Sequence, residues 1–151
     1  ETKATNSLLY SIAMGMSAYG NQEIGFSQLS LDDRIYLAQS DVIRKVAAEG
    51  PCVIVGRNAD YILKDRKDCL HAFIHADKAF RADRIVRLYG ESEKSPEARL
   101  NEKDKRRKVN YHHYTGRDWG ASKNYDICLD SGKIGVDNCV DILYHIVKND
   151  K

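Results

Sequence analysis

From Ser30 onward the apolar residues fall into two spacings by turns, helical and continuous, and the alternation predicts an α/β chain. Ser30 stands as an N-cap with Asp33 three residues on, close to a capping box. Ile35, Ala38, Val42, Ile43 and Val46 then give one helical face, which Gly50 and Pro51 stop. Cys52, Val53, Ile54 and Val55 form a continuous apolar run before Gly56, the pattern of a strand at 52–56 buried on both faces of a parallel sheet. A short helix is expected over 59–64 and a second buried strand over 70–75. Asp77 caps a helix whose Ala82, Ile85, Val86 and Tyr89 repeat at helical spacing up to Gly90. Ser95 and Pro96 open another helix, with proline at its first position, where no backbone donor is lost. A third strand is expected over 126–130. A final helix over 136–148 would turn Val136, Val140, Leu143 and Val147 inward. Residues 1–29 are the least periodic. Leu8, Leu9, Ile12, Ala13 and Met16 suggest a short helix, Gly15, Gly20 and Gly25 break any longer pattern, and a helix with a mobile loop is expected.

Composition narrows the class. With 151 residues, 42 % apolar and 30 % charged, the chain has the make-up of one globular domain with a real core. A net charge of +2 is too small for wholesale coating of nucleic acid. Cys52, Cys69, Cys128 and Cys139 show no CxxC spacing and lie in or beside apolar runs, so they read as buried thiols in a reducing cytoplasm. His112 and His113 have no HExxH pattern around them, and no metal site is expected from protein side chains. No apolar run is long enough to span a membrane, and no signal peptide is seen.

Charge is unevenly placed. The segment EKDKRRKVNYHHYTGR, Glu102 to Arg117, holds six Lys/Arg against two acids, a local charge of +4. On a helix, Arg106, Asn110, His113 and Arg117 share one stripe, and Arg107, Tyr111 and Tyr114 the next. Forked guanidiniums beside aromatic rings suit a phosphorylated ligand. The plainer reading is a solvated charged face, with Tyr111, Tyr114 and Trp119 in the core. Arg81, Arg84 and Arg87 are expected to be solvated.

Parallel sheets place ligands beyond the carboxyl ends of their strands. Gly56-Arg57-Asn58 falls at one such end, where Arg57 either faces a ligand crevice or pairs with a nearby acid such as Asp60. Asp130-Ser131-Gly132-Lys133 leaves the third strand at the same end, and either touches a ligand or is only a turn. No Ser-His-Asp or Cys-His arrangement and no carboxylate pair for hydrolysis stands out.

Four runs in order, GPCVIVGRNADYIL, FIHADKAFRADRIVRLYG, DKRRKVNYHHYTGRDWG and NYDICLDS, resemble the cytidylate kinase-like family of the P-loop nucleoside monophosphate kinases, over roughly residues 30–148. The resemblance implies a three-layer α/β/α domain with a parallel sheet. It also implies ATP-dependent phosphoryl transfer to a nucleoside monophosphate, with Mg²⁺ on the donor. It assigns the acceptor side to Arg57, Asn58 and Asp60, and a catalytic lid over about 95–120 to Lys105, Arg106 and Arg107. Ser131 and Lys133 are candidates on the donor-nucleotide side. The region 1–29 falls on the acceptor side. Asn58 stands where true cytidylate kinases have an aspartate that reads cytosine, so the acceptor base is left open.

Kinases of this fold begin with a strand, a Gly-rich phosphate loop and a helix. Nothing before Ser30 reads that way, and the chain begins with Glu1 rather than Met. In such sheets the first strand lies centrally, between those expected here at 52–56 and 70–75. The resemblance therefore implies that a segment carrying the central strand and P-loop is missing from this sequence, or that another chain supplies the strand. The two strands are expected not to pair directly. Three readings of function stay open: a nucleotide kinase, a catalytically silent nucleotide-binding or regulatory module of the same fold, and an RNA-binding domain using the basic helix. Nucleotide partners, no membrane and a possible homo-oligomer complete the expectation.

Overall fold

The computed structural model describes residues 29–149. The helix and loop expected over 1–29 thus fall, up to residue 28, outside the described residues. The chain divides into two compact units. One comprises the chain up to Cys69 together with His113–Gly116, and the other Leu70–His112 and the chain from Arg117 onward.

In the first unit, helix α1 (Leu31–Glu49) begins where the sequence says it should. The Ser30 hydroxyl accepts from the Asp33 amide at 3.1 Å and donates to the Asp33 carboxylate at 2.7 Å. This satisfies one of the orphan donors of the first turn, where Asp32 and Asp33 also face the positive end of the helix dipole. A short helix α2 (Ala59–Ile62) follows. Ile43, Ala47, Ala59 and Leu63 form the core between them, with Ile54, Ile62 and Cys69 packed against it.

Two expectations are corrected here. The buried face of α1 is Leu37, Ser40, Ile43 and Ala47; of the expected face only Ile43 is buried, while Ile35, Ala38, Val42 and Val46 are exposed. The expected face followed the β-branched residues Ile35, Val42, Ile43 and Val46 together with Ala38 and passed over Leu37. The true face is rotated onto a serine, whose hydroxyl is satisfied within the helix by donating to the Tyr36 carbonyl at 2.8 Å. The second correction concerns 52–56, which joins no ladder among the described residues. Ile54 turns to the core, but Val53 is 93 % and Val55 86 % exposed. An apolar run states that both faces favour burial, not what buries them.

The second unit holds the sheet. Strands β1 (Ala72–His75) and β2 (Ile127–Asp130) pair in parallel, with Ala72 opposite Ile127 and His75 opposite Asp130. This is the only sheet among the described residues, and it has two strands. Asp126 starts the pairing: its carboxylate accepts from the His71 amide at 2.7 Å while its own amide donates to the His71 carbonyl at 2.8 Å. β1 is largely exposed rather than buried, because a two-stranded sheet leaves each strand one open edge.

Helix α3 (Lys78–Tyr89) is capped by Asp77, whose carboxylate accepts from the Phe80 amide, and ends at Gly90. Helix α4 (Pro96–Thr115) runs 20 residues, and Ser95 accepts from the Ala98 amide at its start. Ala82 and Ile85 of α3 and Leu100 of α4 form a core with Val86, while Tyr89 is exposed. A one-turn helix α5 (Ser131–Ile134) follows β2, and α6 (Val136–Asn149) closes the described chain. α6 was expected to bury Val136, Val140 and Val147. It buries Cys139 instead, with Leu143 half-buried and those valines exposed. The four thiols are free, but Cys139 alone is buried, and Cys52 is exposed with the unpaired run it belongs to.

Candidate nucleotide site

The turn after 52–55 has an unusual backbone. Gly56, Arg57 and Asn58 all carry positive φ, at 70°, 58° and 55°. Glycine does this freely, whereas an L side chain in the left-handed region costs about 1–2 kcal/mol. Two consecutive non-glycine residues held there are an accumulated strain that the surrounding turn must offset. The Ala59 amide donates to the Gly56 carbonyl, and the Tyr61 and Ile62 amides to Asn58, which closes the turn into α2. Its consequence is to present the exposed Arg57 side chain at the head of α2, while Asn58 is buried and Asp60 half-buried. The candidate acceptor residues thus sit together on one tight turn of the first unit.

The lid candidates lie in the second unit, mid-way along α4, and they are not alike. Lys105 and Arg106 are exposed. Arg107 is engaged: its Nη1 donates to Asp104 Oδ1 at 3.2 Å, and its guanidinium lies over the Trp119 ring, 5.9 Å from the centroid. Asp104 is also held from α3, where Arg81 Nη2 donates to its Oδ2 at 2.6 Å. Arg81 was expected to be solvated like Arg84 and Arg87. It is half-buried because Asp104 lies across from it.

The aromatic residues of the basic segment are structural, as the plainer reading had it. Tyr111 is 2 % exposed. Tyr114 stacks on Tyr36 at 3.8 Å with ring planes 6° apart, within the first unit. Burial, with Asp33 and Asp32 adding repulsion, pushes the Tyr114 hydroxyl up to about 12. Burial also raises Tyr36. Trp119 packs edge-on against Phe73 of β1 at 5.4 Å.

At the end of the sheet, Asp130 caps α5 by accepting from the Gly132 and Lys133 amides. The Ser131 hydroxyl donates to the His75 carbonyl at 3.0 Å, which ties the ends of the two strands together. Ser131 is therefore bound up in local structure, and Lys133 is exposed. Both readings of this segment had it leaving the strand end, and it does, as a single helical turn.

The chain has a match among protein families. The model of the cytidylate kinase-like family covers residues 1–133. The chain belongs to that family. A crystal structure of an uncharacterized protein from Eubacterium ventriosum ATCC 27560 is similar, with 32 % identity and a TM-score of 0.74. The likeness spans 95 % of this chain and 81 % of that one. No curated protein matches. Among the described residues no helix is long and apolar enough to cross a membrane.

What sequence reasoning missed in this cytidylate kinase-like chain is the partnership of Arg81, Asp104, Arg107 and Trp119. Asp104 and Arg107 are neighbours at i, i+3, a signal the sequence does carry. Arg81 lies 23 residues away on another helix, and nothing local announces it.

Proposed function

We propose that the protein is a nucleotide kinase that transfers a phosphoryl group from ATP to a nucleoside monophosphate, on the three-layer P-loop kinase architecture. The observation that carries this reading is membership of the cytidylate kinase-like family over residues 1–133. The chemistry of the arginines, each taken within its own unit, suits it. Phosphoryl transfer needs little covalent chemistry from protein; it needs in-line positioning and cancellation of charge on the phosphoryl oxygens. Arg57, presented from a left-handed turn, holds the acceptor phosphate, with Asn58 and Asp60 beside it. Lys105, Arg106 and Arg107 on α4 meet the charge of the transferring group and exclude water that would otherwise hydrolyse ATP. Ser131 and Lys133 stand on the donor side, Lys133 through its exposed ammonium. The described residues gather no group of three or more His, Cys, Asp or Glu side chains. Mg²⁺ accompanies ATP as part of the donor substrate. A cytoplasmic setting, with nucleotides rather than nucleic acid or membrane as partners, belongs to the same reading.

The test is a coupled assay of the full-length protein with MgATP across CMP, dCMP, UMP and AMP. Arg106→Ala or Arg107→Ala should lower kcat far more than it weakens acceptor binding, by about 2–4 kcal/mol of transition-state stabilisation. Arg57→Ala should mainly raise KM for the acceptor, since that contact is made before and during transfer. Nucleotide binding without turnover of any acceptor overturns the kinase and leaves a silent nucleotide-binding module. Binding to RNA that falls steeply with salt, with no response to mononucleotides, leaves the RNA-binding reading.

A further inference from the structure

We propose that Asp104 is a positioning residue for Arg107, and that Arg81 is the counter-ion that lets it act without cancelling Arg107's charge; this rests on the kinase reading. A carboxylate in the middle of a basic lid is at first sight a defect, because it subtracts from the charge the lid offers to phosphate. Its two oxygens are divided between two guanidiniums from different helices, Arg81 of α3 on Oδ2 and Arg107 of α4 on Oδ1. The Asp104 side chain is 19 % exposed and that of Arg81 29 % exposed, while Arg107 is 56 % exposed. The inner pair is thus the shorter and the drier, and the outer arginine is the one that faces solvent. Summed over the three groups the charge is +1, and it resides at Arg107.

The arrangement also fixes direction. A free arginine loses about 2 kcal/mol of rotamer entropy on being ordered. Arg107 is ordered in advance, with Asp104 on one edge and the face of Trp119 beneath it. Trp119 is itself held by its edge-on contact with Phe73 of β1. Of the five guanidinium donors, one is engaged by Asp104, so others stay free to fork onto phosphoryl oxygens. Among the described residues neither Lys105 nor Arg106 has this double hold of carboxylate and ring, although the pKa of Glu102, lowered first by its hydrogen bond from Lys94, is lowered further by the nearby Arg106. Removing the charge of Asp104 should therefore leave Arg107 present but misplaced. Removing Arg81 should leave Asp104 to neutralise it.

The experiment compares Asp104→Asn, Arg81→Met, Arg107→Met and the double variant Asp104→Asn/Arg107→Met in the full-length protein. Steady-state kinetics use MgATP and CMP, and emission is followed from Trp119, the only tryptophan of this sequence. Asp104→Asn should lower kcat by about 3–10-fold with KM little changed, and should add nothing once Arg107 is gone. Arg81→Met should lower kcat similarly. The emission change caused by Arg107→Met should be reproduced by Asp104→Asn, because in both the guanidinium leaves the indole. Losses that multiply in the double variant overturn the proposal, as does wild-type emission in Asp104→Asn. A wild type that transfers no phosphoryl group to any acceptor overturns the kinase reading itself, and is seen before any variant is compared.

Discussion

Replacing Gly120 with alanine should destabilise the chain clearly more than the same change at Gly56, and the difference measures how firmly the aromatic platform under Arg107 is built. Both glycines have left-handed backbone, φ +80 at Gly120 and φ +70 at Gly56. An alanine at either site therefore carries a conformational cost of about 1–2 kcal/mol. At Gly56 that is the whole cost that the described residues impose, since among them a Cβ would meet nothing within 4 Å. At Gly120 the added Cβ would lie 3.0 Å from Phe73 Cζ and 3.4 Å from Cε1. Phe73 has little room to retreat, with Trp119 edge-on at 5.4 Å and Tyr125 tilted against it at 4.9 Å. Overpacking of this kind costs about 1–3 kcal/mol more. Equilibrium urea unfolding, followed by circular dichroism and by Trp119 emission, gives both values at once. If the two variants agree within about 0.5 kcal/mol, Phe73 yields freely and the claim of a fixed platform for Arg107 is wrong.

Two further outcomes follow from the structure. Tyr114 holds its proton up to about 12 in the folded chain against an ordinary 10.0, so the unfolded chain releases it first. The stability it contributes is whole below pH 10, and is lost as the pH rises through about 12. In urea melts across that range, Tyr114→Phe should lose stability with pH less steeply than wild type, and parallel curves would refute the assignment. Asp77→Ala and Ser30→Ala should each cost about 1 kcal/mol by leaving a first-turn amide without its acceptor, and thermal unfolding that shows neither loss would discount these caps.

What was legible in the sequence was whatever is decided locally. Ser30, Asp77 and Ser95 act as the caps their residue types announce, because a cap is a bond across three residues. The strand at Ile127–Asp130 and the helices α3, α4 and α6 likewise follow from spacing and breakers, whereas the one-turn helix α5 was read only as a turn or a ligand contact. Burial was less legible, because it depends on neighbours. On α1 the face through Ile35, Val42 and Val46 had the right periodicity, yet the core lies along Leu37, Ser40, Ile43 and Ala47. On α6 the same reasoning chose valines where Cys139 is buried. Periodicity fixes that a helix has an apolar side. When apolar residues cover more than half of the helix, it does not fix the azimuth. The run at 52–55 shows the same limit for strands, since composition cannot name the partner of an edge.

The candidate site extends this distinction to charge. A count over Glu102–Arg117 gives +4, and such a count treats each acid as a loss and each base as equivalent. The folded chain divides them by what they face. Lys105 and Arg106 stand exposed on α4. Arg107 is oriented by a carboxylate whose own charge is offset from the far side by Arg81. An acid among bases therefore need not weaken an anion site. It can convert one of several mobile cations into a directed one, provided that a second cation, from an element remote in sequence, restores the balance. That is why Asp104 reads as noise in the linear charge pattern and as a positioning group in the fold.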